Sequence, residues 1–138
     1  MRLREFTMAD YDAVLALWQS AGPGVSIRPS DRREEIAKKL TRDPDLFLVA
    51  ECGGRLVGAL MGAWDGRRGW LHHLAVDESV RRQGIGAALV QEVEGRLRAR
   101  GCLKVNLLVY SANQGAREFY RSLGYDEMTP IMAMGKEL

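Results

Sequence analysis

Arg81-Arg82-Gln83-Gly84-Ile85-Gly86 follows the apolar run Trp70 to Val76 and leads into Ala87, Ala88 and Leu89. Leu89, Val93 and Leu97 then recur every four residues with Val90 on the same stripe, so the stretch reads as strand, loop, helix. Glycines at a helix start make a ready anion site. The N–H groups of the first turn have no partner in the helix, and the helix dipole adds about half a positive charge there. Glycine lets phosphate oxygens approach the backbone where a Cβ would block them. Arg81 and Arg82 add charge suited to a diphosphate. A lysine-containing phosphate loop would need Gly-Lys-Ser/Thr, and the chain has Gly86-Ala87-Ala88. A dinucleotide fold would need a third small residue where Leu89 stands, and an acid after the next strand, which ends at Tyr110-Ser111. A plain strand-to-helix turn with surface arginines stays open on this motif alone.

Upstream, Leu3 and Phe6 mark a short first strand, and Tyr11, Val14, Leu15, Leu17 and Trp18 fall at helical spacing up to the breaker Gly22-Pro23-Gly24. Asp31 with Glu34 looks like a capping box opening a second helix through Ile36 and Leu40, which Asp43-Pro44 ends. Leu46–Cys52 and Leu56–Trp64 are strands joined at Gly53-Gly54, and Asp65-Gly66 turns into a third, Trp70–Val76. Gly58 and Gly62 either weaken the middle strand or mark a close approach. Downstream, Gly101 caps the long helix and Leu103–Val109 is a strand. Asn113 opens a further helix with Ala116, Phe119, Tyr120 and Leu123 inward, capped by Gly124. Tyr125–Leu138 is expected to supply one or two closing strands bent at Pro130. The order β-α-α-β-β-β-α-β-α-β predicts a single α+β domain over residues 1–138, with a mixed, mostly antiparallel sheet of six to seven strands and helices on both faces.

A chain of 138 residues can bury a core without staples, and 46% hydrophobic with 28% charged residues is ordinary for a soluble domain. A net charge of +2 argues against nucleic acid or an anionic membrane as partner. No apolar run reaches membrane-span length, and Met1–Glu5 lacks a signal-peptide pattern, so a cytoplasmic location is expected. Cys52 and Cys102 read as free thiols. His72 and His73 are adjacent, without metal-ligand spacing, so no metal is expected.

The run Asn113 to Tyr125 has the pattern N-x-x-A-x-x-x-Y-x-x-x-G-Y. Ala116 and Tyr120 share a helix face, and a small residue at 116 leaves room for a ligand chain beside the phenol. With this run the sequence resembles the GNAT superfamily of N-acetyltransferases. Arg81-x-x-Gly84-x-Gly86 resembles that family's cofactor loop, Leu74-Ala75-Val76 the strand that pairs with pantetheine, and Asn113…Tyr120 the helix whose tyrosine lies near the thioester sulfur. The likeness covers nearly the whole chain. The length and the Leu46–Glu51 run are also similar to short bacterial YpeA-type acetyltransferases.

The resemblance implies direct transfer of acetyl from acetyl-CoA to a primary amine in a ternary complex. It implies acetyl-CoA contacts at Leu74, Ala75, Val76, Arg81, Arg82, Gln83, Gly84, Ile85, Gly86, Ala87, Asn113, Ala116 and Tyr120. A backbone N–H near Leu74 to Val76 would polarise the thioester carbonyl, and Tyr120 would protonate the departing thiolate. The glutamate that many relatives carry before the cofactor loop is missing. His72 is the candidate base, since a histidine titrates near neutral pH. Simple alternation sets it with Trp70, Leu74 and Val76, and His73 on the other face. A hydrogen-bonded structural histidine, or water relayed from Glu51 or Asp65, are the alternatives. In relatives the acceptor pocket is shaped by the segment corresponding to Ala21–Ser30 and by a C-terminal hairpin. The hairpin is short here, which hints at an open cleft and a peptide or protein amine, with a small amine as alternative. Arg28, Arg32 and Arg33 could favour an acidic acceptor. A homodimer through edge strands is possible, and an acetyl-CoA sensor without transfer activity is the rival reading.

Overall fold

The computed structural model describes residues 1–138. Five strands form one sheet in chain order: β1 (Arg2–Glu5), β2 (Phe47–Cys52), β3 (Arg55–Trp64), β4 (Gly69–Val76) and β5 (Val105–Leu107). The first four pair antiparallel, and β5 runs parallel to β4. Helices α1 (Tyr11–Ser20) and α2 (Arg33–Lys39) lie on one face, α3 (Ile85–Ala99) and α4 (Gln114–Ser122) on the other. The expected six to seven strands are corrected to five. Tyr125–Leu138 forms no strand, and Leu103–Val109 narrows to three paired residues. The tail leaves Ile131, Met132 and Met134 exposed and covers little apolar surface, so little favours its pairing along β5.

Alternation along β2 divides the core in two. Phe47 and Val49 join Phe6, Val14, Trp18 and Ile36 under α1 and α2. Leu48 and Ala50 join Leu60, Leu89, Val93 and Leu97 under α3. Phe6 stacks on Phe47 with ring centroids 4.1 Å apart, tying the first loop to the sheet. The Gly53-Gly54 hairpin has both glycines at positive φ, as a tight two-residue turn requires. Asp65 closes the next turn by accepting from the backbone N–H groups of Arg67 and Arg68.

Close packing, rather than weakness, accounts for the glycines in β3. A Cβ at Gly58 would lie 3.1 Å from Ile85, and one at Gly62 would lie 2.7 Å from Val93 and 2.8 Å from the Leu46 carbonyl. One at Gly69 would lie 2.6 Å from Leu97. The row forms a trough for α3, which sets where that helix begins. Two local readings are corrected. Asp31 does not cap α2: its carboxylate accepts from the Arg28 N–H and contacts His73, and Arg32 precedes the helix. The second helix ends at Lys39, before Asp43-Pro44.

Gly62→Val should destabilise the fold by about 1–3 kcal/mol, the usual range for overpacking a filled core. Urea unfolding followed by circular dichroism checks this, with Gly95→Ala, where a Cβ meets nothing within 4 Å, as the tolerated control.

Candidate active site

Pairing between β4 and β5 stops at Leu71↔Leu107. On its other side β4 carries a bulge: Ala75 pairs with Ala59 and His72 with Met61, so His73 and Leu74 stand opposite the single residue Leu60. His73 takes φ 53°, a left-handed conformation uncommon outside glycine. The extra residue reverses the alternation. Leu71 is buried on the α3 side, whereas Ala75, four residues on, is buried on the α1 side. The expectation that His72, Leu74 and Val76 share one face is thereby corrected. Leu74 and Val76 pack on the α3 side, and His72 and His73 both turn to the α1 side.

The diverging strands open a cleft of about 1100 Å³. His72, His73 and Leu74–Val76 form one wall, Leu107–Tyr110 the other, and the loop before α3 one end. In that loop Arg82 and Gly84 both have positive φ, 65° and 80°, the left-handed conformation that recurs in anion-binding backbone turns. The first helical bond is Ala88 N–H to the Gly84 carbonyl. No amide from Arg82 to Ala87 donates to a backbone carbonyl across this stretch. Arg81 folds back, its Nε donating to the Val76 carbonyl at 3.1 Å. A Cβ at Gly86 would meet the Phe119 ring at 3.2 Å, so this glycine also lets α4 approach.

Asn113 caps α4, its Oδ1 accepting from the Ala116 N–H at 3.1 Å. Its Nδ2 lies close beneath Gly24, which joins the loop after α1 to the far wall. Tyr110 approaches Ser26 and Arg28 of the same loop, and hydrogen bonding to them lowers its phenol below the ordinary value. Tyr120 projects from α4, edge-on to Tyr125 at 5.7 Å between centroids. Burial pushes its phenol up to about 12, so the hydroxyl keeps its proton at neutral pH. Tyr125, beyond it, donates to Glu94 at 2.7 Å.

Every sequence-chosen site residue lines this cleft except Gln83, whose side chain does not. His72 stacks parallel on Trp70 with centroids 6.3 Å apart. Desolvation by the cleft walls, then the neighbouring His73 and Lys39, lower its imidazole below the ordinary value, although part of it remains exposed. Neither relay candidate is at the cleft. Glu51 pairs with Arg4 at 2.7 Å, and Asp65 is held in its turn. Sequence reasoning missed the Asp31–His73 contact at 2.8 Å, since a capping box gave Asp31 a sufficient local role.

A strand splayed from its neighbour, beside a row of free amides at a helix start, suits a phosphate-bearing ligand. The acetyltransferase (GNAT) family model matches residues 11–125. An acetyltransferase of Sodalis glossinidius is 40% identical over the whole chain and 96% of its own length. Among solved structures, Ard1 from Thermoplasma volcanium is 26% identical with a TM-score of 0.82, over 93% of this chain and 84% of its own. PaiA N-acetyltransferase from Thermoplasma acidophilum, in complex with coenzyme A, is 20% identical with a TM-score of 0.78, over 88% of this chain and 87% of its own. The chain belongs to the GNAT family and is an acetyltransferase.

Asn113→Ala should cost about 1 kcal/mol through loss of the cap. It should also raise hydrogen exchange at Ala116 N–H selectively, which amide exchange measured by NMR would detect.

Proposed function

We propose that this protein transfers the acetyl group of acetyl-CoA to a primary amine by direct attack while both are bound. The observation that carries the reading is the row of amides from Arg82 to Ala87, left without carbonyl partners in a loop with two left-handed residues. Such a row suits a pyrophosphate, with the helix dipole and Arg82 adding charge. Leu74, Ala75 and Val76 keep one backbone edge free of strand pairing beyond Leu71, and that edge suits the amide-bearing pantetheine arm. An N–H on it serves as the donor to the thioester oxygen.

Acetyl-CoA supplies an activated acyl group with a thiolate leaving group. Ala116, small and at the cleft, leaves the passage to Tyr120 open. Tyr120, protonated at neutral pH, is the acid that delivers a proton to the departing sulfur. A lysine-like amine is neutral in only about one molecule in a thousand near pH 7, so a base beside the acceptor raises the reactive fraction. The adjacent imidazoles of β4 are the candidates, His72 among them. With no closing hairpin formed by the tail, of which only Ala133 lines the cleft, a peptide or protein amine is favoured over a small enclosed one.

Gly84→Trp should abolish acetyl-CoA binding in calorimetric titration while the fold persists. A Cβ there meets no protein atom within 4 Å, and the left-handed φ adds about 1–2 kcal/mol of strain. Tyr120→Phe should lower kcat about 10²–10⁴-fold with acetyl-CoA affinity nearly unchanged. Release of CoA thiol across a panel of peptide and small amines reads this. Acetyl-CoA binding without thiol release on any amine would make the protein a sensor and overturn the transfer reading.

A further inference from the structure

We propose that Asp31 and His73 form a proton-accepting dyad in which His73, not His72, takes the proton from the acceptor amine and Asp31 positions it. The inference rests on the transferase reading above and names the base that reading leaves open.

The geometry is ordered from the interior outward. Asp31 is buried, with 7% of its side chain exposed, and does not reach the cleft. Its Oδ2 lies 2.8 Å from His73 Nε2 and accepts from the Arg28 N–H at 3.0 Å. Its own carbonyl accepts from the Tyr11 hydroxyl at 2.7 Å, which fixes this segment to α1. His73 stands in front of it, partly exposed, on the cleft wall. Trp18 meets the imidazole edge-on with centroids 5.0 Å apart and limits its rotation. The carboxylate behind, the indole beside and the backbone bulge beneath leave the ring one orientation.

The tautomer follows from donors and acceptors. Burial opposes ionisation of Asp31, but the hydrogen bonds from His73 and the Arg28 N–H outweigh it and hold the carboxyl below its ordinary value. An ionised carboxylate only accepts, so Nε2 carries the hydrogen and the lone pair of the neutral ring is on Nδ1. His72 has no such partner; it rests on Trp70. The bulge supplies a further argument. A left-handed histidine costs free energy, and without the inserted residue position 73 would face α3 rather than Asp31.

In the step, His73 Nδ1 takes one proton from the neutral amine as the nitrogen lone pair forms the C–N bond to the acetyl carbon. The C–S bond breaks with its electron pair on sulfur, and sulfur takes the Tyr120 proton. The imidazolium proton returns to the Tyr120 oxygen through solvent, so both groups are restored.

His73→Asn tests the proposal, because asparagine tolerates left-handed backbone and lacks a basic nitrogen. CoA thiol release from an alanine-starting peptide should fall about 10²–10⁴-fold in kcat, with acetyl-CoA affinity kept. His72→Asn should lower kcat less than His73→Asn does, and the reverse order would place the base at His72. Asp31→Asn should lower kcat while leaving the KM for the peptide nearly unchanged, since an asparagine there no longer holds the imidazole in one tautomer. Asp31 and His72 are the titratable groups that face this imidazole, and Lys39 acts on His72 beside it. Nitrogen-15 imidazole spectra should show His73 in the Nε2–H form. Full activity in His73→Asn, loss in His72→Asn instead, or an Nδ1–H tautomer at His73 overturns the dyad alone. An unaltered protein that binds acetyl-CoA yet acetylates no amine overturns the transferase reading, and the base with it.

Discussion

Parallel pairing between β4 and β5 ends at Leu71 and Leu107, and an unpaired strand edge inside a folded protein must find other partners for its amides and carbonyls. The rest of the site follows from that separation. Antiparallel pairing keeps β4 bound to β3 up to Val76, so only the edge facing β5 is released. The inserted residue at His73-Leu74 adds twist where the strands diverge. Asn113 lies against Gly24 of the loop after α1, which lines the cleft from the other direction.

Helix α3 is placed by contact rather than by charge. Gly58, Gly62 and Gly69 let Ile85, Val93 and Leu97 settle against the sheet backbone, and none of these contacts tolerates a larger residue without displacement. The amides of Arg82 to Ala87 are therefore held on a rigid element. Gly86 extends the same logic to α4, since the Phe119 ring occupies the space a side chain would need. One set of missing Cβ atoms thus fixes both helices that line the cleft beside the loop, and preorganisation of this kind lowers the ordering cost of binding.

Much of this was legible in the residues. The loop Arg81–Gly86, the Asn113 cap and the Gly53-Gly54 hairpin depend on local chemistry, where residue type and backbone conformation are directly linked. The closing strands were not, because the apolar pattern of Ile131 to Met134 suits a strand but says nothing of whether an edge is there to receive it. The histidine pair failed for a different reason. Period-two alternation assigns faces correctly only while the register is unbroken, and a bulge shifts every residue beyond it. Asp31 carried a second ambiguity: a carboxylate ahead of a helix satisfies a capping pattern whether or not it caps, and its partner is 42 positions away.

The two ends of the cleft call on opposite electrostatics, and the fold separates them by the length of β4. At the Val76 end, free amides and arginine favour phosphate oxygens. At the Leu71 end, the environment lowers one imidazole, and a buried carboxylate orders the other. Tyr120 lines the same cleft, and burial keeps its phenol protonated at neutral pH. A phenol pushed up to about 12 donates best to a group whose conjugate acid is comparably weak, and a developing thiolate meets that need only partly. On the proposed role, what the phenol would offer a leaving sulfur is therefore positional, since a donor held in place beforehand needs little solvent reorganisation when charge arrives.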